Sequence, residues 1–131
     1  MSTGSVSWVL FQAQSLDIEK VHEILLDTGL SILRQPDKFA VWQENGSLLF
    51  ITLACSELVR QESVQIGQDT PYAEDLSRCN VRIEIAFDDL QEVRMEAETL
   101  IEVQSSLQEA TQGYIFNIWN QKIAPPPEYE D

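Results

Sequence analysis

The chain has few of the residues from which catalytic and metal sites are usually built. It contains one histidine and two cysteines among 131 residues. Its glycines are scattered and form no phosphate-binding loop: Gly4, Gly29, Gly46, Gly67 and Gly113. The carboxylates lack the alternating spacing of a calcium loop. We therefore expect no catalytic residues, no metal site and no cofactor, and we predict that the protein is not an enzyme.

The histidine and the cysteines are better explained as structural residues. His22 falls on the flank of the apolar stripe of a predicted helix, where a boundary residue is commoner than an acid–base group. Cys55 and Cys79 have no CxxC spacing, and no pair of histidines completes a zinc site with them. Two isolated thiols are typical of a reducing compartment, where they serve as small core residues, although sequence alone leaves a disulfide open.

Long apolar runs are missing as well. The run Val6–Phe11 is interrupted by Ser7 and is too short for a signal peptide. No stretch approaches the roughly 20 apolar residues that a membrane-spanning helix needs. These absences predict a cytoplasmic protein that does not interact with a membrane.

What the chain has in excess is negative charge. It carries 22 Asp and Glu against 8 Lys and Arg, a net charge of -14. A field of this sign repels nucleic acid and anionic lipid, and it speeds encounter with cationic protein surfaces. We therefore predict a basic protein partner and no direct binding of nucleic acid.

The apolar pattern predicts one α+β domain over residues 1–124 and a flexible, acidic, Pro-rich tail over residues 125–131. Strands are predicted at 7–14, 39–42, 48–53, 81–87 and 114–119. Helices are predicted after an N-cap at Asp17 and from an Asp89–Glu92 capping box to about Ala110. The order β-α-β-β…β-α-β indicates two helices on a mostly antiparallel sheet, with ferredoxin-like split β-α-β units.

Two further segments of the chain lead to local predictions. Asn45-Gly46 predicts a type I′ hairpin turn, with Trp42 paired to Leu49 across the strands. Residues 56–80 have little pattern beyond a turn at Asp69-Thr70-Pro71 and a possible short strand at Val64 and Ile66. Such a segment is either functional or holds an element that propensity misses.

Six residues are predicted to bind the partner. On the second long helix, acids share a face opposite the apolar stripe, and like charges at i, i+4 destabilise a helix by roughly 0.2–0.5 kcal/mol per pair. The face is either simply solvated or a docking surface for Lys and Arg. In residues 56–80, a tyrosine with two acids beside it is predicted as a second contact with the partner, the tyrosine serving as the anchor. The alternative is a solvated acidic loop. The predicted residues are Glu98, Glu102, Glu109, Tyr72, Glu74 and Asp75.

The C-terminal part of the chain resembles the small acidic immunity proteins that bacteria make against their own polymorphic or contact-delivered toxins. The resemblance covers residues 81–124 and rests on the strand Val81–Phe87, the long helix, and the turn into an apolar strand over Thr111–Asn117. It implies a single domain that binds one cognate toxin and occludes its active site. The family has no shared catalytic residues to carry over.

Three alternatives stay open. The chain is similar in length and acidity to type III secretion chaperones, which hold an extended effector segment, but those usually begin with a helix and this chain begins with a strand. A phage-type DNA mimic is expected to display a longer double row of acids. A small enzyme or ligand-binding domain needs a pocket that contains His22 or a cysteine.

Overall fold

A computed structural model describes residues 6–11, 17–36, 38–43, 48–87, 98–118 and 121–126. The elements follow one another along the chain as β1 (Val6–Phe11), α1 (Ile18–Leu26), β2 (Ser31–Arg34), β3 (Phe39–Trp42), β4 (Leu49–Cys55), α2 (Glu57–Gly67), α3 (Ala73–Leu76), β5 (Val81–Ala86), α4 (Glu98–Thr111), β6 (Tyr114–Asn117) and β7 (Lys122–Ala124). None of the helices in these ranges combines the length and hydropathy that crossing a bilayer requires.

The described strands form one seven-stranded sheet in the order β2-β3-β4-β5-β1-β6-β7. Every neighbouring pair is antiparallel. The predicted α+β class, with helices against an antiparallel sheet, is confirmed. The first strand is central in the sheet, as the apolar residues on both of its faces predict. A strand with apolar side chains on both faces needs cover on both sides of the sheet, and such cover is found away from the sheet edges.

The C-terminal half contains a split β-α-β unit. β5 and β6 each pair antiparallel with β1, which lies between them, so β5 and β6 run in the same direction. The helix α4 connects them. The predicted element order is retained, and the structure adds β2, α2, α3 and β7 to it.

One face of the sheet carries the main core. Apolar residues alternate along the strands toward this face, and α1 and α4 cover it with Val21, Leu25, Val103 and Leu107. Asp17 caps α1 as predicted, since its carboxylate accepts a hydrogen bond from the Lys20 amide at 2.9 Å.

The described helices cover only part of the second face. α2 and α3 pack over its middle and C-terminal strands, around Leu10, Tyr114 and Leu76. The sequence pattern misses α2 because the positions that α2 buries are Val59, Ser63 and Gly67. Small residues at these positions hide the helical period, and the predicted short strand at Val64 and Ile66 is wrong.

The hairpin register also differs from its prediction. Val41 pairs with Leu49, and Phe39 with Ile51, so the predicted pairing of Trp42 with Leu49 is wrong by one residue. A one-residue slip turns a strand over, and the observed register places all four of the paired apolar side chains on the core face. The turn residues 44–47 lie outside the described residues.

Three large apolar or aromatic side chains are less buried than their neighbours. Ile101 has the spacing of the buried positions of its helix but is 55% exposed. Trp8 and Trp42, both on strands, are half-buried. The Asp89–Glu92 capping box, Trp119 and the tail from Pro127 onward lie outside the described residues, while Pro126 is buried.

Candidate functional site

The exposed face of α4 carries the predicted row of acids. Glu98, Glu102 and Glu109 are all exposed, and no described Lys or Arg lies within ion-pair distance of them. The helix points these side chains away from the sheet because the residues between them, Val103 and Leu107, are fully buried in the core.

Five of the seven described Lys and Arg residues form ion pairs with described acids, and none of these acids lies on α4. Their ion pairs join acids on other elements, namely Lys20–Glu23, Arg34–Glu19, Arg60–Glu57, Arg78 with Glu74 and Asp75, and Arg82 with Glu62 and Glu84. The Arg34 guanidinium hydrogen-bonded to Glu19 holds the pKa of that carboxyl below its ordinary value, and Arg60 lowers the pKa of Glu57 in the same way. Among the described residues, α4 thus carries three acids that form no ion pair with a described base.

Two exposed apolar side chains belong to the same helical layer. Ile101 on α4 is 55% exposed, and Leu26 on α1 is 57% exposed. α1 packs against α4 on the core face of the sheet. Ile101 lies one turn from Glu98 and next to Glu102, so the layer offers apolar area beside acids. The spacing of Ile101 fits the buried stripe, so the sequence gives no sign of this exposure.

The second predicted group, Tyr72, Glu74 and Asp75, makes contacts within the domain. Tyr72 is half-buried, and its ring centre lies 5.4 Å from that of Tyr114. The Tyr114 hydroxyl donates a 2.6 Å hydrogen bond to the Asp75 carboxylate. Arg78 pairs with both Asp75 and Glu74, at 3.2 Å and 2.9 Å. These contacts give Tyr72, Glu74 and Asp75 structural partners within the domain.

The structure does not bring the two predicted groups together. α4 belongs to the core on one face of the sheet, whereas Leu76 and Tyr72 pack in the cluster on the other face. A single flat partner surface therefore cannot contact both groups at once, and α4 is the group with free charge.

A third cluster was not foreseen from the sequence. Arg82 is 9% exposed and lies under α2, with its guanidinium carbon 3.7 Å from the ring centre of Trp8. Its Nε donates to Glu84 at 2.8 Å, and Nη1 donates to Glu62 on α2. The available signal was the alternation of Arg82 and Glu84 with apolar residues along β5, which places both on one face.

Beside this cluster lies an open groove of about 470 Å³ between α2 and β6. Trp8, Phe116 and Ile66 supply its apolar wall, and Glu62 and glutamine side chains supply its polar wall. The carboxylate in the wall is already bound by Arg82, so the groove presents no free charge from the cluster.

The single histidine and the cysteines are separate from these features. His22 is half-buried, with its ring centre 5.3 Å from that of Phe39. Both cysteines are free, Cys55 being exposed and Cys79 buried. Burial, together with the charge of Asp75, raises the pKa of the Cys79 thiol to about 12. Within the described ranges, no three His, Cys, Asp or Glu side chains form a group able to hold a metal ion.

Comparisons with known proteins add no relative: no family model, no curated protein and no solved structure matches the chain.

Proposed function

We propose that the chain is an immunity-type inhibitor that binds a basic toxin domain through the exposed face of α4 and occludes the active site of that toxin. The observation that supports the proposal most is the distribution of charge. Glu98, Glu102 and Glu109 have no described base beside them, although five described bases are paired with acids on other elements.

The row of acids on α4 is unfavourable in the free protein. Acids at i, i+4 repel each other on a helix at a cost of roughly 0.2–0.5 kcal/mol per pair, and this cost is relieved when cations approach. Glu98 and Glu102 have this spacing. A partner that supplies Lys and Arg recovers the cost on binding and gains the attraction of the whole chain, whose net charge is -14.

Affinity needs more than charge. Exposed charges act mainly on the association rate, while a few desolvated apolar or aromatic anchors set the dissociation rate. Ile101 and Leu26, each more than half exposed on the same helical layer, are the anchors of this proposal. A helix face of this kind fits over a cationic cleft, and steric cover of the cleft is the mechanism of inhibition.

The test is capture and inhibition with two charge-matched variants. The first reverses Glu98, Glu102 and Glu109 to Lys. The second reverses Glu19, Glu57 and Glu74 to Lys, which changes the net charge equally but affects exposed acids that already have Arg partners.

We expect the wild type to capture one basic protein from its native cell and to inhibit the activity of that protein. The α4 variant should lose both properties, whereas the matched variant should retain most of the affinity. Equal losses of affinity in the two variants would mean that net charge alone attracts the partner, and this result would contradict the proposal. Capture of a secreted effector through an extended N-terminal segment would replace it with the chaperone function.

A further inference from the structure

Residues 56–80, which contain α2 and α3, leave the sheet and return to it at one place. Cys55 ends β4, Val81 begins β5, and these two residues are paired with each other. None of the described strand pairs includes a residue of the segment, so the sheet stays paired when the segment moves away. The other long helices differ, since α1 joins β1 to β2 across three intervening strands and α4 joins β5 to β6 across β1.

Within this segment, α2 and α3 are held tightly to each other. A Cβ atom at Gly67 would lie 2.9 Å from the Leu76 Cβ, so the absence of a side chain lets the two helices approach. Between the helices, the Thr70 hydroxyl donates to the Gly67 carbonyl at 2.7 Å and accepts from the Tyr72 amide at 3.1 Å. These contacts make α2 and α3 one structural unit.

The apolar contact of this unit with the sheet is small. The positions that α2 buries are Val59, Ser63 and Gly67, which offer little apolar area. Among the described residues, the cluster under the unit has four buried members, whereas the cluster under α1 and α4 has sixteen. Since burial of apolar area is the main stabilising term, separating the unit from the sheet requires less free energy than unfolding the opposite layer.

Two carboxylates attach the unit to strands. Glu62 on α2 accepts a hydrogen bond from Arg82 of β5, and Asp75 on α3 accepts one from the Tyr114 hydroxyl of β6 at 2.6 Å. The side chains of Glu62 and Asp75 are each 37% exposed. Water already reaches both carboxylates, so it replaces their strand partners when the unit leaves and offsets part of the free energy of these hydrogen bonds.

We propose that residues 56–80 form a lid that opens as one unit, pivoting at the end of the β4–β5 pair, while the sheet and the layer of α1 and α4 stay folded. Opening uncovers Leu10 and Tyr114 on the sheet and exposes the Cys79 thiol. It also frees the Arg82 guanidinium from α2. The inference does not rest on the proposed function, since α4 lies on the other face of the sheet.

The experiment measures alkylation of Cys79 in a Cys55→Ser background, in urea below the unfolding transition. Cys79 is 2% exposed, so it reacts only in molecules that have opened. Glu62→Ala removes one attachment of the lid and should raise the alkylation rate about fivefold or more. Glu57→Ala is the matched control on the same helix, because its ion pair with Arg60 lies within the lid, and it should change the rate by less than about twofold.

A core variant separates opening of the lid from global unfolding. Leu107→Ala weakens the cluster that stays folded in the open state, so it should lower the urea midpoint but change the Cys79 rate by less than about twofold. A rate that rises in step with its loss of global stability would overturn the proposal, as would equal rates for the Glu62 and Glu57 variants.

Hydrogen exchange of the wild type gives a test that needs no variant. In urea below the transition, amides of α2 should exchange at least about tenfold faster than paired amides of β1 and β5, because only the former are released by opening of the lid. Equal protection of the two sets would show that the lid and the sheet unfold together and would contradict the proposal.

Discussion

Arg82 stacks on Trp8 of the neighbouring strand, with the guanidinium carbon 3.7 Å from the ring centre, and this stacked guanidinium is the group that binds α2. The strand β1 supplies the ring, β5 supplies the arginine, and Glu62 on α2 accepts a hydrogen bond from it. Arg82 is only 9% exposed, so the ring and the two carboxylates replace the water that its charge would otherwise bind.

Substitution of this arginine should destabilise the domain. We expect Arg82→Ala to lower the free energy of unfolding by about 2 kcal/mol, less than for a fully buried pair because its two acids remain partly exposed. Urea unfolding followed by tryptophan fluorescence measures the change. The control is Arg60→Ala, which breaks an exposed pair with Glu57 and should cost less than about 1 kcal/mol. Equal losses would mean that the aromatic and buried contacts of Arg82 contribute nothing.

Gly67 permits the close approach of α2 and α3. A Cβ atom at this position would lie 2.9 Å from the Leu76 Cβ and 3.2 Å from the Ala73 Cα. Gly67→Ala should therefore lower the free energy of unfolding by about 1–3 kcal/mol, although alanine favours a helix more than glycine does. Gln65→Ala, at an exposed position of the same helix, should stay within about 0.5 kcal/mol. A more stable Gly67→Ala variant in thermal unfolding would show that the helices separate freely.

Glu102→Gln should change stability and association in opposite ways. It removes the repulsion with Glu98, so the free domain should gain roughly 0.2–0.5 kcal/mol. Association with a basic partner should slow in stopped-flow measurements, with little change in dissociation. Glu57→Gln, which loses the same charge but also an ion pair with Arg60, should gain no stability and should leave the association rate close to that of the wild type. Identical association rates for all three proteins would argue against α4 as the docking face.

The two cysteines should differ sharply in reactivity. Cys79 is 2% exposed and its thiol has a pKa of about 12, so it stays protonated and unreactive at pH 8, whereas Cys55 is exposed. An alkylating reagent should modify one thiol in the native protein and two in urea, and Cys55→Ser should abolish the native reaction. Modification of two thiols in the native state would indicate that α3 opens readily.

The same thiol predicts a pH dependence of stability. The pKa of Cys79 rises from an ordinary 9.0 to about 12 on folding, so between these values the folded chain holds a proton that the unfolded chain has lost. The free energy of unfolding should therefore fall as pH rises above 9. Cys79→Ala should flatten that part of the profile, and an unchanged slope would assign the fall to other groups.

The elements that sequence analysis located share a strong alternation or a recognisable cap. β5 alternates without a break from Val81 to Ala86, and Asp17 is an N-cap of the preferred residue type. Where the pattern is carried by small residues, as at Ser63 and Gly67, the prediction failed because burial there depends on a neighbouring helix. Short edge strands such as β2 and β7 owe their conformation to pairing with β3 and β6 and have little signal of their own.

The candidate site was predictable in its charge and not in its arrangement. Helical spacing is sufficient to group Glu98, Glu102 and Glu109 on one face. Helical spacing does not show that Tyr72 packs on Tyr114 or that Arg78 forms ion pairs with Glu74 and Asp75. These contacts depend on how α3 docks against the sheet. Nor can it separate Ile101, which is exposed, from Leu100, which is buried beside it.

The central position of β1 has a consequence for synthesis. Ser7 pairs with Ile85 on one side and with Asn117 on the other, so β1 must wait until Asn117, 110 residues later, before both of its edges are covered. At about 5–20 residues per second, translation leaves its unpaired, apolar backbone on the ribosome for several seconds or longer. Completion of the sheet thus depends on the synthesis of β6, and shielding of Val6–Phe11 during that interval becomes a requirement for a good yield of folded protein.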